Sequence, residues 1–81
     1  MTAKADLILY GRPGCHLCEQ AADLLDGKGV DWREVNIDED RELEQEYGLI
    51  IPVVYSERAK KKLFYPFGAE QLGRFLKEIG Q

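Results

Sequence analysis

In Gly11-Arg12-Pro13-Gly14-Cys15-His16-Leu17-Cys18, the only two cysteines of the chain are separated by two residues, one of them its only histidine. Three chemistries are open to such a pair. As a staple it is poor, because a disulfide stabilises chiefly by closing a long loop in the unfolded chain, and this one closes almost none. Structural zinc needs four ligands, usually two pairs of Cys or His. Cys15, His16 and Cys18 fall short of that, and the adjacent Cys15 and His16 do not readily reach one ion, so no metal site is assigned within a monomer. A metal or cluster shared between two chains stays open.

The third chemistry is thiol–disulfide exchange, and the context of the pair supports it. A C-x-x-C that follows a strand and a Gly/Pro turn, and opens the helix of a crossover unit, reads as a redox motif. A helix N-terminus carries unpaired N–H groups and partial positive charge. Cys15 at that position should ionise below the ~8.5 of a free thiol. Arg12, and His16 when protonated, would add to the effect, although His16 also reads simply as an exposed residue that tunes the redox potential. Cys18 lies one turn further in, on a stripe with Ala21 and Leu25, and should be the more buried. An exposed nucleophile, Cys15, and a shielded resolving thiol, Cys18, are what exchange requires.

The elements that must position this pair follow from periodicity. A continuous apolar run over Asp6–Tyr10 predicts a buried strand, and Gly11–Gly14 predicts a turn. Helical spacing runs from Cys15 until Gly27 and Gly29 end it. Trp32–Ile37 reads as a second strand, with Asp38 as N-cap of a charged helix to Tyr47 that Gly48 stops. Ile50–Tyr55, interrupted by Pro52, and Lys62–Tyr65 read as two strands joined through Ser56–Lys60. Leu72, Phe75, Leu76 and Ile79 mark a last helix. The order β-α-β-α-β-β-α implies an α/β fold with a four-stranded mixed sheet, its first two strands parallel and its last two antiparallel.

The 81 residues suit one domain, residues 1–81, with a modest core. A net charge of −4 argues against a nucleic-acid partner. The acidic stretch Asp31–Glu46 and the basic knot of Arg58, Lys60, Lys61 and Lys62 read as solvated faces. Apolar runs are too short to cross a bilayer and no secretory signal is recognisable, so a cytoplasmic monomer without membrane contact is expected. No Ser/His/Asp set, phosphate loop or paired-carboxylate site stands out.

With these residues in view, the chain resembles the glutaredoxin-like branch of the thioredoxin-fold superfamily over nearly its whole length. The resemblance rests on "ILYGRPGCHLC", "VNIDED", "GLIIPVVY" and "FGAEQLGRFL". It implies a thioredoxin fold, and a thiol–disulfide oxidoreductase with Cys15 attacking and Cys18 resolving. The alternatives are an iron–sulfur cluster carrier using Cys15 across a dimer and a non-catalytic adaptor. By resemblance Ile51-Pro52 occupies the place of a cis-proline facing the cysteines, where the Ile51 backbone pairs with substrate.

Arg12 stands where glutaredoxins commonly carry a lysine near the glycine carboxylate of glutathione. Phe67-Gly68-Ala69-Glu70 replaces the usual Gly-Gly, small residue and Asp that hold the γ-glutamyl end, and Phe67 in place of glycine is expected to obstruct it. His16-Leu17 replaces Pro-Tyr between the cysteines. Leu9 stands where thioredoxins bury a carboxylate, and Gly14 where they carry tryptophan. The resemblance therefore implies a substrate site of Arg12, His16, Leu17, Ile51, Pro52, Gly68, Ala69 and Glu70 and no tightly bound cofactor. Glutathione is expected to be a weak co-substrate. The expected partners are a disulfide-containing protein or small molecule, with glutathione or a thioredoxin reductase as electron donor.

Overall fold

The computed structural model describes residues 6–81. Its elements are β1 (Leu7–Gly11), α1 (His16–Gly27), β2 (Trp32–Asn36), a 3-10 turn (Ile37–Glu39), α2 (Arg41–Tyr47), β3 (Val53–Ser56), β4 (Lys61–Phe64) and α3 (Ala69–Glu78). The strands form one open mixed sheet in the order β2-β1-β3-β4. β1 runs parallel to β2, with Leu9 opposite Glu34 and Gly11 opposite Asn36. β3 is antiparallel to both β1 and β4. This is the expected fold class.

Every residue of β1 is buried, which explains its unbroken apolar run: helices cover the sheet on both faces. Alternation along the strand sends Leu7 and Leu9 to one face, where they join Val54, Leu25, Leu72 and Phe75 beneath α1 and α3. Ile8 and Tyr10 go to the other face, against Ile37, Tyr47 and Val53. Each fully buried side chain of this size contributes roughly 1.5–3 kcal/mol of transfer free energy. On that second face Tyr10 stacks on Tyr47, their ring centroids 4.6 Å apart, and the Lys62 ammonium lies 5.0 Å from the Tyr47 ring centroid. Hydrogen bonding to Tyr47, and then to Glu46, holds Lys62 protonated above the usual lysine range.

Several boundaries differ from the sequence reading. Asp38 does not cap α2. The Asn36 side chain accepts from the Asp38 N–H (2.9 Å) and starts the 3-10 turn, and Asp40 Oδ1 then accepts from the N–H groups of Glu42 and Leu43 and caps the helix. The Asp38 carboxylate is thereby left for another use. β3 begins at Val53 rather than Ile50, since Pro52 has no N–H to give to a sheet ladder. β4 is displaced by one residue, to Lys61–Phe64. The peptide bonds before Pro52 and Pro66 are both cis.

At the end of β1 remote from the cysteines, Asp6 ties three elements together. Ser56 Oγ and the Arg58 N–H each donate to its carboxylate at 2.6 Å, and the Arg58 guanidinium donates to Ile79 O. Burial alone would raise the Asp6 carboxyl, but the bonds from Ser56 and Arg58 outweigh it and hold it below the usual carboxylate range. Among the described residues no helix is long and apolar enough to cross a membrane.

Candidate active site

β1 delivers the chain to the base of α1. Gly14 turns it with φ of +78°, a conformation that favours glycine, and the Cys15 N–H donates to Arg12 O at 3.3 Å. Cys15 itself is extended and is the N-cap of α1; its Sγ accepts from the Cys18 N–H at 3.2 Å, in the manner of a serine or aspartate cap. The two cysteines are joined in a disulfide, with Cα atoms 5.2 Å apart. Their surroundings differ. Cys15 is half-buried at the rim, whereas Cys18 is 3% exposed, on the inner face of α1 with Ala21 and Leu25.

Gly11 makes room for Cys18. A Cβ at that position would stand 2.9 Å from Cys18 Sγ and 3.1 Å from its Cβ. Sequence reading took Gly11 only as the start of a turn, yet it is the last residue of β1. Glycine ending a buried strand is itself a signal of close approach, here by a side chain.

Beside the disulfide lies a cavity of about 220 Å³ between the first turns of α1 and the edge strand β2, walled by Arg12, Cys15, Cys18, Glu19, Ala22 and Glu34 among others. Arg12 is not a free cation there. Its Nη2 lies 2.9 Å from Asp38 Oδ1, and its Nε is buried without a partner. Glu34, which the sequence did not single out, and Asp38, expected only as a helix cap, thus set the charge around the site.

The other predicted site residues lie outside that wall. His16 and Leu17 are exposed on the first turn of α1. Ile51 is half-buried and packs against the tyrosine-containing core, and Pro52 is fully buried. Neither belongs to the cavity wall, and nor do Gly68, Ala69 and Glu70 at the start of α3. There the Gly68 N–H donates to Gln71 Oε1 (2.9 Å), and Arg74 pairs with Glu70 (2.8 Å). The Phe67 side chain is buried in the core, edge-on to Tyr65, because an aromatic ring gains more from burial than from projecting into solvent. Among the described residues no group of three or more His, Cys, Asp and Glu side chains could hold a metal ion.

A disulfide at the first turn of a helix, set at the end of a central strand of a β2-β1-β3-β4 sheet, defines a thioredoxin-type fold carrying a C-x-x-C pair. The chain belongs to the glutaredoxin-like domain family (DUF836), whose family model matches residues 6–77. It is similar to the solved structure of the target protein XcR50 from X. campestris, with 38% identity over 89% of this chain and 96% of that one and a TM-score of 0.83. Protein Ne2328 from Nitrosomonas europaea shares 28% identity over 93% of this chain and 94% of its own, with a TM-score of 0.74. A glutaredoxin from Archaeoglobus fulgidus, 23% identical over 90% of this chain and 87% of its own, with a TM-score of 0.67, shares the fold. None of the curated proteins matches the chain.

Proposed function

We propose that this protein is a thiol–disulfide oxidoreductase in which Cys15 attacks and Cys18 resolves. The observation that carries the reading is the asymmetry of the bonded pair, with one sulfur at the rim and its partner buried one turn inward. In the reduced protein the Cys18 N–H and the start of α1 face Cys15 Sγ and favour its thiolate. That thiolate attacks a disulfide R–S–S–R and releases one thiolate, leaving a mixed disulfide on Cys15. Cys18 loses its proton and attacks Cys15 Sγ, expelling the second thiolate. The substrate disulfide gains two electrons and the protein closes its own bond.

In this reading His16 and Leu17, exposed between the cysteines, meet the incoming partner, and the Ile51 backbone beside Pro52 pairs with it. The start of α3 at Gly68, Ala69 and Glu70 is a secondary contact. Glutathione is a weak co-substrate, because Arg12 is engaged by Asp38 and the Gly68 N–H by Gln71. The setting is a cytoplasmic monomer in one domain, with no tightly bound cofactor and with glutathione or a thioredoxin reductase as electron donor. The test is turnover of a neutral small disulfide, coupled in turn to each donor, together with single-turnover reaction of the pre-reduced protein. Reaction that disappears in Cys15→Ser supports the proposal. A pre-reduced protein that reacts no faster than buffer would overturn it.

A further inference from the structure

Resting on that oxidoreductase reading, we infer that the site selects disulfides bearing a cationic group close to the sulfur over anionic ones such as glutathione disulfide. The cavity beside Cys15 and Cys18 has two carboxylates in its wall, Glu19 from α1 and Glu34 from β2. Neither has an ion pair among the described residues. Arg12 is the one cation in the wall, and Asp38 already pairs with it at 2.9 Å. With that pair neutral, the wall is net negative.

The carboxylate charge is also close to the sulfur. Glu34 Oε2 and Cys18 Sγ lie 3.7 and 2.9 Å from the same point, where a Gly11 Cβ would be. They are therefore within about 7 Å of one another, and although Glu19 and Glu34 are exposed, that separation is shorter than the Debye length of about 10 Å at 0.1 M salt. Strand register puts Glu34 there: it is paired with Leu9 on β1, two residues before Gly11, and residues two apart share a face of the sheet. Remaining wall residues such as Ala22 and Gly14 are small and present no charge of their own. His16 lies on the exposed surface of α1, outside the wall.

A departing or mixed-disulfide half seated in this cavity meets two unneutralised carboxylates. An ammonium there is attracted, and the carboxylates of a glutathionyl group are repelled. The exchange itself is unchanged: the disulfide is reduced to two thiols while Cys15 and Cys18 are oxidised to their disulfide.

The experiment uses pre-reduced, full-length protein and three symmetric disulfides: cystamine (cationic), hydroxyethyl disulfide (neutral) and dithiodipropionate (anionic). Each single-turnover rate is divided by that of the same disulfide with free dithiothreitol, which removes intrinsic reactivity. At low salt the normalised cationic rate should exceed the anionic one about tenfold, and the ratio should fall to about twofold near 0.5 M salt, where the Debye length is only a few ångströms. In Glu19→Gln/Glu34→Gln the low-salt ratio should fall at least about threefold, as expected when two charges leave the site. A ratio at or below one in the wild type overturns the inference, as does a ratio that moves with neither salt nor the substitutions. The salt arm needs no variant to fold. Failure of the neutral disulfide to react would be a different result, overturning the oxidoreductase reading and the selectivity with it.

Discussion

α1 and α3 begin in opposite ways. At α1 the cap is a sulfur, Cys15 Sγ, which accepts from the Cys18 N–H. At α3 the first turn is closed by the protein's own Gln71, which takes the Gly68 N–H, while Arg74 engages Glu70. Both helix starts offer the partial positive charge of unpaired N–H groups. At α1 that charge acts on an atom that can change oxidation state; at α3 the cap is a glycine without a side-chain acceptor, and Gln71 takes only the cap's own N–H. A helix start becomes a reaction site through the chemistry of its cap and through what surrounds it.

Making the cap of α1 as inert as that of α3 should cost the most activity. Cys15→Ser keeps a capping hydroxyl, so circular dichroism should remain native, while disulfide turnover falls to the uncatalysed rate. Cys18→Ser should instead leave attack intact and trap a mixed disulfide on Cys15, visible by mass spectrometry. Faster alkylation of Cys18 than of Cys15 in the reduced wild type would reverse the two roles.

Next in size is Gly11→Ala, which attacks the space that α1 requires and α3 does not. The added methyl would fall 2.9 Å from Cys18 Sγ and 3.1 Å from Cys18 Cβ, atoms held in place by the disulfide. Overpacking of this kind costs roughly 1–3 kcal/mol, and each kcal/mol corresponds to about 4–8 °C in a domain of this size. Thermal denaturation reads the loss, and slower closure of the Cys15–Cys18 bond should accompany it.

Asp6→Asn acts at the end of β1 remote from both helix starts and serves as the control. Loss of charge-assisted bonds from Ser56 and Arg58 should cost about 1.5–3 kcal/mol at neutral pH, with no change in the normalised exchange rate. The folded carboxyl ionises below its ordinary 3.8. Its contribution is therefore complete above that value and is lost as pH falls through the lower, folded one. Wild type and variant should accordingly converge in stability on acidification, which urea denaturation across a pH series would show.

The mildest change belongs to α3. Gln71→Ala removes the bond to the Gly68 N–H and should cost about 0.5–1 kcal/mol. It also opens the start of α3 to an external acceptor. Titration with reduced glutathione, followed by NMR, should then give larger shifts at Gly68 and Ala69 than in the wild type.

Much of this molecule was legible in one dimension because its signals are local. A continuous apolar run is what a strand covered on both faces looks like, and β1 is such a strand. The spacing of Leu72, Phe75, Leu76 and Ile79 is the buried side of α3 and its cap. Boundaries were less legible where short polar residues compete: Asn36, Asp38 and Asp40 can each cap a turn. Asp40 caps α2 because its oxygen reaches the N–H groups of Glu42 and Leu43. That the Phe67 side chain turns into the core was illegible for a related reason, since residue type does not say to which side a loop side chain turns.

Element order, fold class and the placing of two thiols one helical turn apart are written locally, because helix and strand periods are short and repeat within a segment. What stands around those thiols is settled in three dimensions. Glu34 lies beside Cys18 through the register of β2 on β1, and Asp38 neutralises Arg12 through the path of the chain after β2. Gly11 matters through the close approach of α1 to the end of β1. Register and approach are settled by many weak contacts across the whole core at once, and no spacing within one segment encodes which charge will face a given sulfur.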